Sequence, residues 1–271
     1  RFVGVTRISL GTQSFNDDHL AFLGRSHTGK EAVASYELAR QVFPTVSFDM
    51  IYALPDQTAQ MWAHSLQEAL TLAPDHMSAY QLTIEPRTPF FKLQKAGRLT
   101  VLDEDLQAAL FEVTHQSCIE AGYEHYEVSN FARSGQRCHH NLNIWRGAEY
   151  IGIGPGAHGR VTFQDKPCTR QASFNHKKPE MWLAAVKAHG TGLETLTALT
   201  AQECGEETLM FGLRLSEGLP LSRLEGTGIC LDESKIDLMR KEGLCDVQDN
   251  VLRVTDRGRL VLDSILSALL S

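Results

Sequence analysis

Hydrophobic positions along the first ninety or so residues follow two alternating periods. Val3, Val5, Ile8 and Leu10 predict a short strand ending at Gly11. Asn16 stands where it can cap a short helix that Gly24 closes. Thr28 and Glu31 have capping-box spacing, and Ala32, Tyr36 and Ala39 continue a helix to about Val42. Val46, Phe48, Met50 and Tyr52 alternate as a second strand. Thr58 opens a helix with Trp62, Leu66, Ala69 and Leu70 on one face, Pro74 ends it, and residues 77–84 read as a third strand. Strands separated by helices of this length imply a parallel sheet or barrel, with the site at the carboxyl ends of its strands. Gln13, Asp49, Gln81 and Glu85 are the polar residues at those ends. Taken one at a time, they read as turn or capping groups.

The middle of the chain is patterned differently. Residues 106–118 read as a helix and 123–128 as a strand. The run GIGPGAHG at 152–159 packs small residues densely enough to bring backbone close to a ligand or to another strand. From about Pro179 the pattern turns helical. Thr200 with Glu203 repeats the capping box, Asp232 and Gly243 bracket a helix, and residues 244–254 form a hairpin around Asp249-Asn250. Thr255 opens a last helix. That order predicts a small winged-helix-like C-terminal domain.

Composition narrows the function. The 271-residue chain is 42% hydrophobic and 22% charged, as globular domains are. It carries 26 Lys and Arg against 33 Asp and Glu, a net charge of −7, which opposes nucleic-acid binding. The winged-helix-like segment 201–271 is itself acidic, so it reads as an interaction or packing module. No apolar run approaches the ~18 residues of a membrane span. No signal peptide is read at Arg1, and the absence of Met there predicts that the natural start lies upstream. The closest two of the six cysteines are Cys230 and Cys245, so none stands in a CxxC or CxxxCxxC pattern, and reduced cytosolic thiols are expected.

Two motifs bear on chemistry. Residues 154–159 match G-x-G-x-x-G, but residues 160–163 read as a strand where a dinucleotide fold needs a helix, so that reading is rejected. Cys138, His139, His140 and His158 are zinc-type donors at a spacing that fits no common structural-zinc signature. His140 stands near Trp145 on an expected loop, which suits a hydrogen-bonded loop histidine or, beside an aromatic anchor, an axial heme ligand.

The segments GVTRISLGTQSF (4–15), LGRSH (23–27), FDMIYALPDQT (48–58), SAYQLTIEP (78–86), YEVSNFA (126–132) and YIGIGPGAHG (150–159) together resemble the radical S-adenosylmethionine (SAM) family of oxygen-independent coproporphyrinogen III oxidases. The likeness is strongest to its heme-chaperone (HemW-like) branch. It implies an α/β fold: the C-terminal half of a partial (β/α)6 barrel with the heme-motif segment at 1–170, then the C-terminal domain at 171–271. It implies SAM, heme and a [4Fe–4S] cluster as cofactors, with the CxxxCxxC cluster motif upstream of residue 1. By the same resemblance, Gln13 and Arg25 contact SAM and Asp49 meets its ribose, with Gln81 and His158 near that pocket. His140, Asn141 and Trp145 form the heme motif, with Ile144 where the family carries Tyr. The implied protein is a cytoplasmic chaperone that gives heme to a respiratory acceptor, with peripheral membrane contact there. The enzyme alternative is an oxygen-independent coproporphyrinogen III dehydrogenase.

Overall fold

Three parallel strands and the helices that connect them open the chain. The structure is a computed structural model describing residues 4–163 and 170–271. Val3 of the expected first strand and Cys168 lie outside the described residues. The chain divides into two compact units, one ending at Cys138 and the other starting at His139.

In the first unit, β1 (Arg7–Gln13) leads through α1 (Asp17–Phe22) and α2 (Gly29–Val42) to β2 (Thr45–Tyr52). Then α3 (Ala59–Thr71) leads to β3 (His76–Gln81), followed by α4 (Pro89–Lys95), α5 (Glu104–Glu120), β4 (Glu124–Glu127) and β5 (Asn130–Ala132). The caps are those read from the sequence. Asn16 accepts from the backbone N–H of Asp18 and His19, Thr28 and Glu31 close a capping box, and Thr58 accepts from Met61 N–H. The sheet order is β1-β2-β3-β5-β4, parallel through β3 and then antiparallel.

One apolar core lies between this sheet and its helices. Phe48, Met50, Met77 and Phe131 meet Tyr36, Trp62, Leu66 and Leu110, all buried. Inside that core the Trp62 indole N–H donates to Thr114 Oγ1 at 2.8 Å, so its polar group is satisfied.

The second unit opens with α6 (His139–Trp145). An antiparallel sheet follows, β6 (His158–Thr162), β7 (Arg170–Asn175) and β8 (Leu193–Ala198), with α7 (Pro179–His189) between the last two strands. The remainder is α8 (Ala201–Gly212), β9 (Leu219–Pro220), a 3₁₀ turn at Leu221–Leu224, α9 (Glu233–Lys241), the hairpin β10 (Cys245–Gln248) and β11 (Val251–Val254), then α10 (Asp256–Arg259) and α11 (Leu262–Leu270). β9 joins the hairpin as a third strand. Asp249 and Asn250 turn the hairpin with φ of 52° and 60°, the left-handed pair a two-residue turn requires. No helix among the described residues is long and apolar enough to cross a membrane.

Several elements depart from the sequence reading. β1 continues through Gly11 to Gln13. β3 stops at Gln81 instead of residue 84. β8 occupies part of a stretch read as helical, because pairing with β7 compensates a segment whose residues are all exposed. The last helix is broken at Leu260–Val261, where Val261 leaves helical geometry at φ −122°, ψ 27°. The compact units part at 138/139. β6 pairs along its whole length with β7, and that pairing holds the glycine-rich segment with the C-terminal unit.

Candidate functional site

Period-two alternation gives the first sheet two chemically different faces. Val46, Phe48, Met50 and Tyr52 of β2, with Met77 and Ala79 of β3, face the helices. The residues between them, Ser47, Asp49, His76, Ser78 and Tyr80, fall on the opposite face. The strand register sets Ser47 beside His76 and Asp49 beside Ser78, and β5 sets Asn130 against both Ser78 and Glu127.

These side chains bond in two rows. In the first, His76 Nδ1 lies 2.7 Å from Ser47 Oγ and its Nε2 lies 2.8 Å from Tyr126 OH. Burial, with Arg7 nearby, pushes the His76 pKa down to about 3, so its imidazole is neutral. In the second row, Ser9 Oγ donates to Asp49 Oδ1 at 3.2 Å and Ser78 Oγ donates to Asn130 Oδ1 at 2.9 Å. Asn130 Nδ2 and the Ser129 N–H both donate to Glu127 Oε1, the latter at 3.0 Å. Burial raises the Asp49 carboxyl above the ordinary aspartate range, and the hydroxyls of Ser78 and Ser9 partly offset it.

Gln13 ends β1 with φ 66°, and its register partner on β2 is Met50, the residue after Asp49. Gly11 leaves the space its side chain uses, since a Cβ at Gly11 would lie 2.9 Å from Gln13 Nε2. On the adjacent strand, Ala53 follows β2 with φ 60°. Two non-glycine residues in the left-handed region at neighbouring strand ends cost backbone energy, a pattern that clusters at ligand sites. The loop after Gln13 is held by His27 Nε2 at 3.2 Å from Thr12 O and by Ser14 Oγ at 3.4 Å from His19 Nδ1.

Within the first unit, neither Gln81 nor Arg25 is bonded to Asp49 or Gln13 among the described residues. The Gln81 amide donates to Gln107 Oε1 on α5, toward the helices and away from Asp49. Arg25 follows α1 exposed, and among the described residues no hydrogen bond or ion pair ties its guanidinium to Gln13 or Asp49. His158 belongs to the second unit, at the start of β6, with its ring centroid 4.6 Å from that of Phe174. Ser9, Ser78, Asn130 and Glu127 complete the polar row and were not singled out in the sequence, although their alternation with apolar neighbours was available there.

In the second unit, His139 and His140 are exposed in the first turn of α6, which corrects the loop expected there. Successive helix residues point about 100° apart, so the two imidazoles face different directions. Trp145, at the other end of α6, meets Phe211 edge to face at 5.5 Å, and Arg214 covers its ring at 4.4 Å. The expected porphyrin-facing side chain is thus engaged by α8 and the residue just beyond it. Asn141 is half-buried beside His140.

The donor sets decide what each place can hold. The half-buried acceptor carboxylate of Asp49 fits the hydroxyl groups of an adenosyl ligand. The exposed His140 imidazole fits an axial position on heme iron. The described cysteines do not fit an iron–sulfur cluster. Cys118 is buried with its thiol pushed up to about 12, Cys138, Cys204 and Cys230 are scattered along the chain, and Cys245 is buried.

Residues 199–261 match the family model described as the HemN C-terminal domain. The chain is 37% identical over 273 residues to the heme chaperone HemW of Escherichia coli (strain K12), covering 99% of this chain and 69% of that protein. It is 36% identical over 278 residues to the mitochondrial radical S-adenosyl methionine domain-containing protein 1 of Danio rerio, covering 98% of this chain. The chain spans 62% of the length of that relative. Among solved structures, it is similar to the E. coli coproporphyrinogen III oxidase HemN, described as a radical SAM enzyme. The TM-score is 0.75 at 22% identity, over 98% of this chain and 64% of that one. At that identity the likeness is one of fold.

Proposed function

The chain belongs to the HemW-like branch of the radical SAM family, and from that premise we propose that it serves a heme chaperone that binds heme and SAM and passes heme to an acceptor protein. The observation that carries this reading is the exposed His140 imidazole on α6, in a segment that resembles the branch's heme motif. Asn141 completes the start of that motif. Trp145 anchors the helix through Phe211 and Arg214, so it positions His140 and leaves the porphyrin face to other groups.

On the first unit, Asp49 accepts the ribose hydroxyls of SAM and Gln13 holds the nucleoside from the neighbouring strand end. Arg25 takes the methionyl carboxylate as a charge-assisted partner. Gln81 and His158 have weaker claims on the same ligand. SAM bound to a reduced [4Fe–4S] cluster is a source of radicals in this family. The described cysteines do not supply the ligands of such a cluster. The acceptor is a respiratory protein met at a membrane surface, and a cytoplasmic address goes with that.

Product analysis tests the reading. The complete protein carrying this chain is given coproporphyrinogen III, a reductant and SAM, and in parallel is loaded with heme and mixed with an apo-acceptor. The chaperone reading expects heme transfer without protoporphyrinogen. Stoichiometric protoporphyrinogen would assign the protein to the decarboxylating oxidases instead.

A further inference from the structure

His115 on α5 and His125 on β4 meet ring to ring in the first unit, with their Nδ1 atoms 3.0 Å apart. Phe111 and His115 stand four residues apart on one face of α5, and both rings lie against His125, at centroid distances of 5.9 and 5.2 Å. His125 also stacks on Phe131 at 4.2 Å. It is 6% exposed, and His115 is half-buried.

The tautomer of His125 follows from its second nitrogen, Nε2, which lies 3.1 Å from Val128 O. A carbonyl only accepts, so Nε2 carries the proton and the Nδ1 of the neutral ring turns its lone pair to His115. A ring anchored through its far N–H on a backbone carbonyl is held as metal-ligating histidines are, because the anchor fixes both tautomer and ring direction. His115 in turn donates its Nδ1 proton to His125. Moving that proton to its own Nε2 aims a second lone pair at the same point, with no net proton gained or lost. Two nitrogens on one tetrahedral ion, each about 2.0–2.1 Å from it, stand roughly 3.3 Å apart. The pair therefore has to open by only a few tenths of an ångström to admit the ion.

We infer that the His115 and His125 imidazoles are protein ligands of a zinc-class divalent cation. Imidazole suits Zn²⁺, Cu²⁺ and Ni²⁺, whereas Mg²⁺ and Ca²⁺ take oxygen ligands. Bound there, the ion staples α5 to β4 with two coordinate bonds in place of one N–H···N bond. The site draws on none of Cys138, His139 and His140, and it does not rest on the heme or SAM readings.

The experiment titrates this chain with Zn²⁺, and with Mg²⁺ as control, by calorimetry and by nitrogen NMR of the histidine rings. Cys138, His139 and His140 are other donors for zinc, so a variant carrying Cys138→Ala, His139→Ala and His140→Ala serves as the background. That background is expected to bind one Zn²⁺ and no Mg²⁺, with the Nδ1 resonances of His115 and His125 shifting together. His115→Gln in the same background, at a half-buried helix position where glutamine is well tolerated, should weaken zinc binding at least 10-fold. His125→Phe keeps the stack on Phe131 and should do the same; where it does not fold, His115→Gln decides alone. If the background binds no zinc, if zinc shifts other rings and leaves these two in place, or if His115→Gln binds with unchanged affinity, the site is overturned.

Discussion

His76 Nδ1 stands 2.7 Å from the Ser47 hydroxyl, on adjacent parallel strands and with the imidazole 3% exposed. That contact fixes a pH dependence with a definite sign. Burial holds the folded-state pKa near 3, below the ordinary value of 6.5. Above pH 6.5 the group is neutral in both states and its contribution is intact. As pH falls from 6.5 toward 3, the unfolded chain takes up a proton that the folded chain refuses, and stability is lost. At pH 5 the loss is about 2 kcal/mol. Urea unfolding at pH 7.5 and pH 5 of wild type and His76→Gln checks it. The wild type should lose more stability than the variant by about that amount, and equal losses would count against a neutral buried imidazole.

The alternation of β2 was legible in the sequence, and so were the crossover helices and most of their caps, while His76 lay one residue before the strand read at 77–84. Thr28, Thr58, Thr200 and Asp232 all cap as expected, because N-caps depend on a few local residues. What was not legible depended on distant partners. β5 is three residues long and exists through its pairing with β3 and β4. β8 exists through β7. At the site, Asp49 and Gln13 were named from motifs, while Glu127 read as part of an ordinary strand at 123–128 and Asn130 lay beyond it until the antiparallel register set Asn130 against Ser78. Trp145 was read as an aromatic anchor beside His140, and no local pattern announces its contact with Arg214, sixty-nine residues later.

Gly29 is where α2 meets the loop that carries Gln13. A Cβ there would lie 2.1 Å from the Phe15 carbonyl oxygen, a backbone atom that cannot rotate away. Gly29→Ala should therefore shift the 13–15 segment and cost about 1–3 kcal/mol. It should also weaken binding of an adenosyl ligand. Chemical denaturation and calorimetry of the same variant check both, and an unchanged affinity would separate Gln13 from the ligand.

Trp145 holds α6 in place by its contacts with Phe211 and Arg214. Trp145→Ala should cost about 2–4 kcal/mol in the unfolding of the second unit. Trp145→Phe, which keeps an aromatic face for Arg214, should recover most of it. Denaturant melts followed by far-UV circular dichroism decide. A Trp145→Ala variant with full stability would show that the ring's packing carries nothing, and would return it to a direct role at the porphyrin.

Arg160 and Glu207 form a two-pronged ion pair in the second unit, with bonds of 2.6–3.2 Å and side chains 16% and 18% exposed. Breaking one side leaves a mostly buried charge unpaired. Glu207→Gln should destabilise by about 1.5–3 kcal/mol, and Glu207→Gln in an Arg160→Met background by much less. Equal losses in both backgrounds would show that the two residues act independently.

The ligand assignment of His140 is the centre of the functional account, and its most direct test is heme titration followed by the Soret band. Wild type, His140→Ala, His139→Ala and Cys138→Ala are compared in the complete protein that carries this chain. Loss of the axial nitrogen should shift the Soret band and weaken heme binding at least 10-fold in His140→Ala, with His139→Ala and Cys138→Ala close to wild type. If His140→Ala binds heme with unchanged affinity and spectrum while either neighbour's variant does not, the assignment is contradicted.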